Sequence, residues 1–149
     1  MYGKGRSVNM STKIRPEISE KNKYWISRHR YYELKHFCLQ YPTWKRVCVA
    51  LDDLSIHSPV FDAIPVFGST PSDPTAKYAI AKEYYSNKIK MVERIALEAD
   101  SEIGMYILRA VTEELSYNYL KMKLGIPCGK DMYYDRYRKF FWLLSKERQ

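Results

Sequence analysis

The sequence predicts an all-α fold, a helical bundle that begins with a flexible, basic N-terminal arm and ends in a C-terminal helix-turn-helix. Apolar residues recur at three- and four-residue steps along most of the chain after Tyr24. Helix-starting residues, namely Ser27, the Asp73-Pro74 pair and Ser116, stand directly ahead of those runs. A length of 149 residues, with 46% apolar and 28% charged residues, fits one compact domain with a proper core.

Residues 1–23 mix Gly, Ser, Lys, Arg and Pro16 without apolar periodicity, and read as a mobile arm. A helical scaffold is expected over residues 24–114. Ser27 caps its first helix, in which Tyr31, Leu34, Phe37 and Cys38 share one face. Pro42 closes that helix and opens a second, with Trp44, Val47, Cys48 and Leu51 on one stripe, and the two are expected to form a hairpin. Residues 52–73 carry prolines and a glycine without helical period, so an irregular, extended connection is expected there, with room for a short strand pair through Val60 or Val66.

The Asp73-Pro74 pair then starts a long helix from Thr75 to about Ala99. Its inner side should hold Tyr78, Ile80, Ala81, Tyr84, Tyr85, Ile89, Val92, Ile95 and Ala96. Ser101 is placed to cap the next helix, whose apolar face is Ile103, Tyr106, Ile107, Ala110 and Val111 and which Gly104 weakens slightly.

Residues 115–149 form the expected helix-turn-helix. Ser116 caps a short helix with buried positions among Tyr119, Leu120, Met122 and Leu124, and Gly125 supplies the left-handed residue that ends it. Ile126 plugs back toward the core, Pro127 to Gly129 make the turn, and Asp131 caps a last helix with Tyr133, Tyr134, Tyr137, Phe140, Phe141 and Leu144 on its apolar side.

Charge adds the functional hint. The net charge is +8, made of +6 over residues 1–30, −1 over 31–128 and +3 over 129–149, so the excess sits at the two ends. Clustered cations of this kind displace the counterions condensed on a polyanion. A DNA-reading helix needs donors on its outer face and near its N-terminus, where phosphates and base edges lie. Lys130, Arg136, Arg138 and Lys139 fit that requirement, and Tyr133 or Tyr134 adds a hydroxyl or a stacking ring.

The stretch from Leu115-Ser116-Tyr117 through Leu124-Gly125-Ile126-Pro127-Cys128-Gly129 to Tyr133-Tyr134-Asp135-Arg136-Tyr137-Arg138-Lys139-Phe140-Phe141 resembles small prophage-encoded helix-turn-helix proteins of Gram-positive bacteria. These are loosely similar to the RinA and ArpU type of phage late-gene transcriptional regulators, in which a helical part precedes a unit like the promoter-reading module of sigma factors. The resemblance covers about the last 35 residues and, more weakly, the Asp73-Pro74-Thr75 helix start. It implies sequence-specific binding to phage or host promoter DNA; the partners expected are double-stranded DNA and either host RNA polymerase or another host nucleoprotein.

Other functions fit less well. No Ser or Cys has a recognisable base partner, and the neighbouring Asp52 and Asp53 read as helix-end charges, so neither an enzyme nor a cofactor is expected. Cys38, Cys48 and Cys128, with His29, His36 and His57, lack metal-ligand spacing, and the odd thiol count suits a reducing compartment. With no bilayer-length apolar run and no signal-peptide pattern in MYGKGRSVNM, a cytoplasmic location in a bacterial host is expected. The rival reading is a phage-encoded, anti-CRISPR-like inhibitor of a host nucleoprotein, since Tyr and Arg also favour protein interfaces. A homodimer through the long central helix is compatible with either.

Overall fold

The computed structural model describes residues 20–57 and 74–149, and within them it is all-helical. Six helices follow in order: α1 (Arg28–Leu39), α2 (Tyr41–His57), α3 (Pro74–Ala99), α4 (Gly104–Glu113), α5 (Tyr117–Lys123) and α6 (Lys130–Glu147). The arm over residues 1–19 and the connection over 58–73, with the strand pair expected at Val60 or Val66, lie outside the described residues. None of the described helices is long and apolar enough to cross a membrane.

Local chemistry sets most of the boundaries. Ser27 Oγ accepts the Arg30 amide at 3.3 Å, and the α1 face of Tyr31, Leu34, Phe37 and Cys38 is buried as its spacing requires. Before α1, residues 20–23 form a turn in which Asn22 Oδ1 accepts the Tyr24 amide at 2.9 Å. Pro42 lies in the first turn of α2, where its missing N–H costs nothing.

Three expectations about the scaffold are corrected. Residues 52–57 continue α2 rather than opening an extended connection, helped by the ion pair from Asp52 to Lys82 on α3. Helix α2 packs chiefly along α3 instead of folding back on α1. On α3, Ile80 and Tyr84 are exposed, because the buried face runs through Tyr78, Ala81, Val92, Ile95, Ala96 and Ala99.

The α3–α4 junction also differs from expectation. Asp100, not Ser101, caps it: Oδ1 accepts the amides of Glu102 at 2.8 Å and Ile103 at 2.9 Å. The cap falls one residue early because the carboxylate reaches two and three residues ahead in an Asx-type turn. Gly104, expected only to weaken α4, is where that helix meets α3: a Cβ there would lie 2.6 Å from the Ala96 carbonyl oxygen. At the other end of α4, Glu114 takes a left-handed φ of 55°.

The main core joins α1, the second half of α3, α4 and the inner side of α6, so the scaffold and the C-terminal unit share one apolar interior. Tyr133, Tyr137, Phe140, Phe141 and Leu144 enter it from α6. A smaller cluster of Leu51, Tyr78 and Ala81 holds the outer part of α2 against α3. Arg30 of α1 ties down the end of α6, donating to Ser145 Oγ at 3.0 Å and to the carbonyls of Ser145 at 2.9 Å and Arg148 at 2.7 Å. These carbonyls have no helical partner of their own, so the guanidinium completes them.

Candidate nucleic-acid interface

Helix α5 and its turn are built as the sequence implies. Ser116 Oγ accepts the Tyr119 amide at 3.1 Å, and Gly125 closes the helix with φ 66°. The Leu124 and Ile126 amides both bond to the Leu120 carbonyl, at 3.2 and 3.1 Å, and Ile126 is buried. Tyr117 Oη donates to the Cys128 carbonyl at 2.8 Å, which pins the turn to the start of α5.

Helix α5 is shallower than expected, however. Leu120 is its buried residue and Leu124 is half-buried, while Tyr119 is exposed and Met122 is 81% exposed. Helix α6 begins at Lys130 after Gly129, whose position leaves no side chain to cap it, so Asp131 lies inside the first turn instead of at the cap. There its charge faces the positive end of the helix dipole.

The six expected contact residues divide sharply. Lys130 is exposed, with Nζ 5.7 Å from the centre of the Tyr134 ring, and has no carboxylate partner among the described residues. Arg138 and Lys139 are partly exposed, again without an ion pair among the described residues. Tyr133 is corrected: at 1% exposure it belongs to the core, and burial pushes its phenol well above the usual range. Tyr134 is half-buried among Tyr117 and Tyr133, and its hydroxyl is shielded with no hydrogen-bond partner, so it cannot reach a phosphate from this position.

Arg136 is the second correction. Its Nε donates to Asp100 Oδ2 at 3.0 Å and another nitrogen donates to Asp135 at 2.6 Å, which turns it into a brace between α6 and the α3–α4 junction. The Asp100 side chain is only 10% exposed. Burial would raise its pKa, but the amides of Ile103 and Glu102 together with Arg136 outweigh that and hold it below the ordinary carboxylate range.

Two cations that the sequence reading passed over belong to the same unit. Lys121 and Lys123 on α5 are exposed and have no ion pair among the described residues; Lys121 Nζ lies 3.4 Å from the Ile126 carbonyl. Their signal in the sequence is two lysines on the short helix directly ahead of the turn. Elsewhere Arg94 bonds Glu98 and Glu147, Arg109 bonds Glu113, and Lys82 bonds Asp52. The thiols offer no activated nucleophile in the described region: burial pushes Cys38 up to about 12 and raises Cys48 and Cys128 as well. No group of three metal-ligating side chains comes together among the described residues.

No family model matches the chain, and no curated protein or solved structure matches it either.

Proposed function

We propose that this chain is a double-stranded DNA-binding protein, a phage-type transcriptional regulator that docks its C-terminal unit on promoter DNA. The observation that carries the reading is the set of cations around the α5–α6 turn that have no ion pair among the described residues, Lys121, Lys123 and Lys130, continued by Arg138 and Lys139. A short capped helix, a left-handed glycine and a second, longer helix are the parts of a helix-turn-helix. Unpaired ammonium groups there supply sequence-independent attraction to phosphates, and the first turn of α6 is where base edges would be read. Regulation of promoters comes from the resemblance of residues 115–141 to phage regulators.

The test is fluorescence anisotropy on duplexes from the gene's own neighbourhood, at several salt concentrations. Wild type should bind with a steep salt dependence. The combined Lys121→Gln, Lys123→Gln and Lys130→Gln variant should lose at least about tenfold in affinity and show a slope shallower by about three, one for each phosphate contact removed. Failure of wild type to bind any duplex at low salt would remove the proposal.

A second reading keeps one observation in its favour. Met122 and Tyr119 put apolar surface on the same helix as the lysines, which suits a host nucleoprotein, or RNA polymerase itself, as partner. Met122→Ser would then weaken protein capture and leave DNA affinity unchanged.

A further inference from the structure

Outside the turn, two more unpaired cations meet at the opposite end of α6. Lys146 Nζ lies 3.3 Å from the centre of the Trp142 ring, and that ring packs edge-on against Tyr24 with centroids 5.5 Å apart. Lys23 Nζ in turn lies 4.8 Å from the Tyr24 ring. Both lysines are exposed, and neither has a carboxylate partner among the described residues. The aromatic pair thus fixes two ammonium groups, one from the turn before α1 and one from the last turn of α6, on a joint platform. Cation–π contacts hold each stem in place and leave the remaining N–H donors directed to solvent.

The spacing along α6 gives this platform a use. Lys130 and Lys146 are separated by about 24 Å of helix, at 1.5 Å per residue. Lys139 stands seven residues before Lys146 and so on the same side of α6, which makes Lys146 a continuation of that cationic strip about 10 Å further along the axis. We propose that Lys23 and Lys146, mounted on Tyr24 and Trp142, form a second clamp for the phosphodiester backbone, at the end of α6 remote from the α5–α6 turn. The proposal rests on the DNA-binding reading above. Its contribution is orientation and affinity without base preference, because phosphates carry no sequence information.

Salt titrations separate the possibilities. The Lys23→Gln, Lys146→Gln double variant should show a slope shallower by about two and at least about tenfold weaker binding near 0.15 M salt, with the same ranking of duplex sequences as wild type. Lys23→Arg with Lys146→Arg should keep the wild-type slope, which separates charge from packing on the rings. An unchanged slope in the glutamine variant, while the variants at Lys121, Lys123 and Lys130 do weaken binding, overturns the clamp and leaves the DNA reading standing. A wild-type protein that binds no duplex at low salt overturns both.

Discussion

The arginines of α3 and α4 each have a carboxylate one turn away, Glu98 for Arg94 and Glu113 for Arg109, whereas the lysines around the α5–α6 turn have none. Such surface pairs add little stability, commonly under about 1 kcal/mol. Their effect is to neutralise those two arginines, while Lys77, Lys88 and Lys90 of α3 have no ion pair among the described residues. At Lys121, Lys123 and Lys130 no such pair forms among the described residues, although Asp131 stands beside Lys130 in the first turn of α6. The two regions thus differ in how their cations are compensated, and on the proposed function the second is the one available to phosphates.

The inner side of α6 provides the largest test of that contrast, because it carries stability and no charge. Phe140→Ala and Leu144→Ala should each cost about 2 to 5 kcal/mol in chemical denaturation, since both residues are fully buried. A loss below 1 kcal/mol for both would mean that α6 is not the centre of the core. Gly104→Ala should cost about 1 to 3 kcal/mol through the clash with the α3 backbone, a smaller effect read the same way.

Arg136 is the exception that sharpens the comparison, a paired cation within the unpaired set. Arg136→Gln should destabilise by about 1 to 3 kcal/mol, because it leaves the nearly buried Asp100 without its charged partner. The sign with pH follows from the depressed folded pKa of Asp100. Its contribution is complete above the unfolded value of about 4 and is lost as pH falls through the lower folded value. The gap between wild type and Arg136→Gln should therefore shrink in acid; a gap that widens below pH 4 would break the assignment. By contrast, Lys121→Gln, Lys123→Gln and Lys130→Gln should each change stability by no more than about 0.5 kcal/mol while weakening DNA binding. Smallest of all, Glu114→Gly should raise the melting temperature slightly, worth less than about 1 kcal/mol, because glycine takes the left-handed φ without strain.

Features that depend on neighbours along the chain were legible in the sequence. Ser27, Ser116, Pro74 and Gly125 each act within one helical turn, and all stand where their local chemistry implies. The α1 stripe was readable for the same reason. Features that depend on distant partners were not. Arg136 looked like an outward donor because nothing within its own helix reveals Asp100, which lies 36 positions earlier. Tyr133 was ambiguous for a different reason, since a tyrosine offers a polar tip and an apolar body and only packing decides between them. At Asp100 and Asp131 the error was one of register, as an Asx turn and an uncapped start each moved a helix boundary by a residue or two.

The bonds from Arg30 to Ser145 and Arg148 span 115 and 118 positions along the chain. During translation, therefore, α1 emerges long before the last of the helices that cover its apolar face. Phe37 can already meet Trp44 of α2, and α1 can already pack on α4, so what waits for α6 is the Tyr31 side of that face, which packs on Phe141 and bonds to Tyr137.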